Sequence, residues 1–271
     1  MAALGIFAID ERYAKGGVMT ARSRFTRSKS LATLGFAFAW CLGTLAALPA
    51  FAATTGSSSA YGESINLSLV PLLGGGVTIV SGPLPVVAGA AAPSYDQQTS
   101  LASVKVQAAG LGTVLQTGIL NVAADSSVPA ADQAHGHAEV ANPALQLASL
   151  LGLNASVISS DASVSGSCGS GLATTGTTQL LSAQVSGLAA FGLTVPPNPA
   201  PNTELLNLLG VRVILNEQIA GGDGSSQASL TVNAVHVSLT NSVLSLIGVL
   251  SGDIVISQSR AEVDCGSVLV E

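Results

Sequence analysis

Aromatic side chains are scarce. The 271 residues hold one Trp, three Tyr and six Phe, 4% of the chain. Such a chain lacks the stacking surface that single-stranded nucleic acid or a sugar ring needs. Charge is equally sparse, at 9%. Six of the nine basic residues, Arg12, Lys15, Arg22, Arg24, Arg27 and Lys29, fall before Ser30. After them come only Lys105, Arg212 and Arg260, against thirteen carboxylates beyond residue 52. That excess of acid repels nucleic acid and anionic lipid alike, so both are poor partner candidates and no nucleic acid is expected. Disorder does not follow from low charge, because 48% of the chain is hydrophobic, and disordered chains are charged and poor in aliphatics.

Recognisable catalytic motifs are missing too. Gly166-Ser167-Cys168-Gly169-Ser170-Gly171 does not match the G-x-S-x-G nucleophile elbow, and no strand-to-helix context surrounds it. There is no phosphate-binding loop and no dinucleotide-binding glycine pattern. Asp223, in Gly-Gly-Asp-Gly-Ser-Ser, is a single carboxylate where calcium loops need several. The one arrangement with ligand character is His135-Gly136-His137 with Glu139, three side chains on one strand face. A zinc site needs a third or fourth ligand of good geometry, and none is visible nearby in sequence. His135 and His137 are therefore weak metal candidates, and the expectation is a solvated loop edge with no cofactor.

What is present begins with an export signal. A basic segment precedes an uncharged apolar run, Leu31 to Leu48, which ends at Ala50-Phe51-Ala52. Basic, apolar and small-x-small regions in that order predict a secretory signal peptide over residues 1–52, cleaved after Ala52. Met19 is an alternative start, and an uncleaved anchor is the competing reading, since about eighteen apolar residues could just span a bilayer. No adjacent arginine pair marks the segment, which favours Sec-type export. Cys41 follows bulky Trp40 and is no lipidation site. Cleavage leaves two cysteines, Cys168 and Cys265. An even count in an oxidising compartment pairs them, the alternative being two free thiols. No sorting motif or apolar tail is visible between Cys265 and Glu271.

Beyond a flexible lead-in at 53–62, alternation dominates. Ile65, Leu67 and Leu69 alternate with Ser64, Asn66 and Ser68, and some ten such runs follow, separated by turn residues. Val114 to Val122 reads as a strand broken near Gly118, Leu84 to Ser94 as a linker, and Pro196 to Pro201 as an extended crossing. Pro143 to Leu153 is the best candidate for a short helical turn, with Leu147, Leu150 and Leu151 at helical spacing. The fold class is all-β. A single antiparallel β-sandwich-like domain over 63–271 is the first choice, a β-prism or solenoid the second.

The strongest local signal is a hairpin, Val211 to Leu239. Val211, Val213 and Leu215 alternate inward on its first arm. On the second, Leu230, Val232 and Ala234 are in one phase and Val235, Val237 and Leu239 in the other, which predicts a bulge at Ala234/Val235. The register then sets Ile219 against Leu230 and Glu217 against Val232, and the three upper pairs follow. Glu217 would share the apolar face with Leu215 and Ile219. It would accept backbone N–H groups where the Ala220–Gln227 loop leaves the sheet. Asn216, Glu217 and Gln218 are thus expected to be structural.

Asn202-Thr203, Leu215-Asn216-Glu217-Gln218, Leu230 to Val237 (LTVNAVHV), Gly252 to Ile256 (GDIVI) and the late Cys265 resemble the choice-of-anchor P family. The resemblance covers about the last seventy residues. It implies a secreted bacterial protein whose relatives differ in how, or whether, the C-terminus is tethered to the envelope, and it implies no known activity. The expected function is a non-catalytic envelope or secreted structural or adhesive protein, with cell-envelope or extracellular matrix components as partners. A small-ligand or glycan-binding β-module is the alternative.

Overall fold

The computed structural model describes residues 54–71, 75–187, 193–244 and 248–266. The expected signal peptide, Cys41, Met19 and the C-terminal residues 267–271 lie outside them. The described residues belong to one compact unit. In it β1 (Thr55–Pro71) and β2 (Val77–Ala91) form the first hairpin. Ten shorter strands follow: β3 (Tyr95–Leu101), β4 (Lys105–Ala108), β5 (Gly112–Gln116), β6 (Leu120–Ser126), β7 (Asp132–Ala141), β8 (Ala144–Leu147), β9 (Leu151–Asn154), β10 (Val157–Ser167), β11 (Gly171–Leu181) and β12 (Gln184–Ser186). The chain ends on β13 (Thr203–Leu208), β14 (Val211–Gly222), β15 (Gln227–Leu244) and β16 (Gly248–Asp264). All pairings are antiparallel, and there is no helix among the described residues.

The long strands make one sheet in the order β13-β14-β15-β16-β1-β2. The short ones make two, β11-β10-β7-β6-β3 and β12-β9-β8-β5-β4. The second of these continues the first, because each strand runs into its counterpart through a few residues at one shared bend. Backbone hydrogen bonds cross that bend without a gap: Thr117 N to Val104 O, Gly118 N to Ala141 O, Asn142 N to Ser156 O and Ser156 N to Leu181 O. Asn142 and Ser182 turn the chain there at φ of 47° and 52°. The molecule is a sandwich of two sheets, the second bent across its middle, with Pro196–Pro201 carrying the chain from one to the other.

The first sheet changes pleat opposite that bend. Asn216, Ala234, Ser257 and Gly62 form a row across four strands. On one side of the row Ala228, Leu230 and Val232 of β15 are buried, and on the other Val235, Val237 and Leu239. On β1, Ser58 and Ala60 give way to Glu63, Ile65, Leu67 and Leu69. Asn216 and Ser257 take φ of 51° and 61°. Ser257 Oγ donates to Ala138 O at 2.9 Å and meets Ser160 Oγ at 2.9 Å, so the row is tied to the second sheet.

The two halves pack differently. Past the bend, Leu115, Leu145, Leu147, Leu151 and Ile158 meet Ile65, Leu67, Leu215 and Ile254 in one apolar core. Each such side chain contributes roughly 1.5–3 kcal/mol when fully buried. On the near side the contact is made by Ala134, Ala138, Ala162, Ala228 and Ala261 with a few larger residues. There a Cβ on Gly136 would stand 2.7 Å from Arg260 O and 2.8 Å from Ser59 O. The sheets touch backbone to backbone, which explains why so few aromatics are needed. Cys168 and Cys265 are bonded, with Cα atoms 5.5 Å apart and a sequence separation of 97. The bond joins the β10–β11 turn to the end of β16. In the chain-entropy picture a loop of that length is worth roughly 4–5 kcal/mol.

Four expectations need correction. Residues 55–62 of the lead-in are the first half of β1, because Gly56, Ser58 and Ala60 are the small inward residues the thin half requires. Leu84 to Ala91 is strand rather than linker and continues β2 past a bulge. Pro143 to Leu153 is no helix: Leu145 pairs with Leu153 and Leu147 with Leu151 across the β8–β9 hairpin. In so leucine-rich a segment the period of two was hidden among helical spacings. Finally, the central hairpin has the predicted change of phase but no extra residue. Its register is unbroken from Val211 opposite Leu239 to Gly222 opposite Ala228. Four neighbouring strands shift pleat in the same row, so Ile219 faces Thr231 and stays exposed.

Candidate functional site

Polar side chains gather on three surfaces. The first lies along β14. Asn216 is buried at positive φ, a conformation Asn tolerates better than branched residues do. Its Nδ2 donates to Pro199 O at 2.9 Å, and its Oδ1 accepts from Thr178 Oγ1 at 3.2 Å and Gln218 Nε2 at 3.0 Å. Gln218 Nε2 also donates to Gly176 O, and Asn202 N to Asn216 O. Asn216 and Gln218 thus fasten β14 to β11 and to the proline crossing.

The turn at Asn216 sends Glu217 to the outer face of the sheet. There Glu217 Oε2 accepts from Asn233 Nδ2 at 2.7 Å and lies 2.8 Å from His236 Nδ1. His236 Nε2 is 3.2 Å from Asp253 Oδ1, and Gln258 Nε2 donates to Asn233 Oδ1 at 2.7 Å. Burial pushes the neighbouring Tyr61 hydroxyl up to about 12. Glu217 therefore does not share the apolar face with Leu215; it lies on the outer face with the exposed Ile219, and its partners are side chains rather than loop N–H groups. Asp223 has the loop role instead. Its carboxylate takes the Ser226 hydroxyl and the backbone N–H groups of Gln227, Ser225 and Ser226, which hold it well below the usual carboxylate range.

The outer face of the bent sheet carries the second cluster. His135 and His137 sit in the middle of β7, not at a loop edge, and both are half-buried. His135 Nδ1 is 2.9 Å from Asp125 Oδ1 on β6, directly opposite it. His137 Nδ1 is 2.8 Å from Asp161 Oδ1 on β10, also directly opposite. The same Asp161 oxygen is 3.5 Å from His135 Nε2. The Asp161 contact, against a burial penalty and with help from Asp125, raises the His135 imidazole to about 9. His137 is raised by Asp161 as well. Burial alone would raise Asp161, but the two imidazoles outweigh it and hold the carboxyl well below its ordinary value. Glu139 is turned to Asn121 at 3.4 Å and acts on His137 only through its charge. Among the described residues no three such side chains close around a cation-sized point. A shallow groove of about 300 Å³ adjoins His137, floored by Val122 and Ala123 and rimmed by Gln98, Ser100 and Asn121. It holds no aromatic ring.

The third feature is a single carboxyl. Glu63 is fully buried beside the row. Oε1 accepts from Ser81 Oγ at 2.8 Å, while Oε2 has no partner. Burial, only partly offset by Ser81, pushes it up to about 7.

All three histidines are thus held by carboxylates. Among the described residues none has a serine, threonine or cysteine within hydrogen-bond reach. Among these residues no nucleophile–base pair is assembled. Asp125, Asp161 and Glu63 were not singled out as site residues from sequence, and His236 and Asp253 entered only inside the runs that carry the family resemblance. Each cluster joins neighbouring strands at matched register, which spacing along one strand does not reveal. No protein family, curated protein or solved structure matches the chain. Among the described residues no helix is long and apolar enough to cross a membrane.

Proposed function

We propose that the chain is an exported, non-catalytic bacterial protein of the choice-of-anchor P type, acting as a structural or adhesive component of the envelope or of secreted material. The observation that carries this reading is the Cys168–Cys265 bond. It links the two sheets at the far end of a chain that starts with basic and apolar segments ending in Ala50-Phe51-Ala52. Such bonds persist where the surroundings oxidise thiols. The polar groups support the same reading. Asn216 and Gln218 serve to join strands, and the histidines are paired with acids rather than nucleophiles. Envelope polymers or matrix components are the proposed partners, bound through outer faces rich in Ser, Thr, Asn and Gln. Fractionating the source cells and probing each fraction tests the proposal. The protein is expected in the envelope or the medium and should retain envelope material on a column. Recovery from the cytosol with both thiols free would refute it.

A further inference from the structure

His135 Nε2 and His137 Nδ1 face the same oxygen, Asp161 Oδ1, at 3.5 and 2.8 Å. The other nitrogen of His135 is engaged by Asp125, 2.9 Å away. An imidazole that donates Nδ1–H to Asp125 turns the Nε2 lone pair toward a carboxylate oxygen. Two electron-rich atoms at that distance need a cation between them, either a proton or a metal ion.

We propose that this face binds one divalent transition-metal ion of the zinc, copper or nickel class. His135 Nε2, His137 Nδ1 and Asp161 Oδ1 are the protein ligands, and water completes the set. Imidazole and carboxylate donors suit this class of ion. Ligand atoms about 2.0–2.1 Å from a tetrahedral ion stand about 3.3 Å from one another. The contact of 2.8 Å must open by about 0.5 Å and that of 3.5 Å close by about 0.2 Å, within reach of side-chain rotation. Asp125 holds the His135 ring by its far nitrogen, fixing the tautomer and raising the basicity of the ligating one. The two carboxylates neutralise a dication. Among the described residues no basic side chain competes: Arg212 and Arg260 pair with Glu204 and Glu262, and Lys105 lies on β4. Adjacent backbones hold the ligands in place, since β6, β7 and β10 are neighbours in one ladder.

Calorimetric titration of zinc chloride and copper sulfate into tag-free, chelator-treated protein tests the site. One ion should bind per chain, and the copper-loaded protein should show two coupled nitrogens by electron paramagnetic resonance. The H135Q/H137Q double variant should weaken binding at least ~30-fold, and D161N about 10-fold. H236Q, which alters the histidine on the opposite face, should bind as the parent does. No uptake at about 100 µM metal, corresponding to weaker than about −5.5 kcal/mol, would overturn the proposal. So would unchanged affinity in the double variant, or fewer than two coupled nitrogens. Should the double variant fail to fold, the parent's copper spectrum alone decides.

Discussion

Replacing Glu63 with Gln should change how stability depends on pH. Glu63 is fully buried, with Ser81 Oγ on one oxygen and nothing on the other. Around it lie Ile65, Leu84, Ile256 and the half-buried Tyr61, and no cation. Its carboxyl rises from 4.5 to about 7. A raised folded-state value means the folded protein holds the proton more tightly than the unfolded chain. The stabilisation is fully present below pH 4.5 and is lost as pH rises through about 7. At 1.36 kcal/mol per unit, the loss is about 3 kcal/mol. In E63Q that loss disappears. The amide, like the protonated acid, keeps the Ser81 hydrogen bond and leaves one polar group unpaired. The variant should therefore lie within about 1 kcal/mol of the parent at pH 4.5 and exceed it by about 3 kcal/mol at pH 8. Urea unfolding of both proteins at half-unit intervals measures the difference. Subtracting the two curves cancels His135, whose raised value adds stability below pH 6.5 that is lost as pH passes about 9. It also cancels Asp161, whose lowered value adds stability above pH 3.8 that is lost in acid. A difference that stays constant from pH 4.5 to 8 would refute the reasoning.

Other substitutions probe the joints of the sandwich. Asn216→Ala gives up three side-chain hydrogen bonds and the tolerance of positive φ, and should cost about 3 kcal/mol by thermal unfolding. Asn216→Gly should recover only the backbone share. Glu217→Gln keeps the shape but loses the charged partner of His236, and should cost about 1–2 kcal/mol, with Glu217→Ala costing more. Gly136→Ala drives a methyl into Arg260 O and Ser59 O and should cost about 3 kcal/mol, read as a lowered unfolding midpoint.

The all-β class, the two cysteines as a pair and the upper half of the central hairpin were legible because their signals are local. Val211, Val213 and Leu215 alternate, and their partners Leu239, Val237 and Val235 alternate in the same phase. The lower half was not. A strand read alone can explain a change of phase only by an extra residue. The protein makes the change on four neighbouring strands at once, through Asn216 and Ser257 at positive φ. That misplaced Ile219 and assigned Glu217 to the wrong face. Gly56, Ser58 and Ala60 looked like a flexible tail because small residues usually mark loops, and only the close approach of the second sheet makes them a strand. The His135 and His137 cluster was half visible, since Asp125 and Asp161 come from strands whose register is set by the fold.

Export with a sheet-to-sheet disulfide is the claim on which the functional reading rests. Mass spectrometry of peptides from the native, unreduced protein, digested after alkylation, tests it most directly. The account predicts an N-terminal peptide starting at Ala53 and a linked pair holding Cys168 and Cys265. A chain with its leader intact and both cysteines alkylated would contradict it.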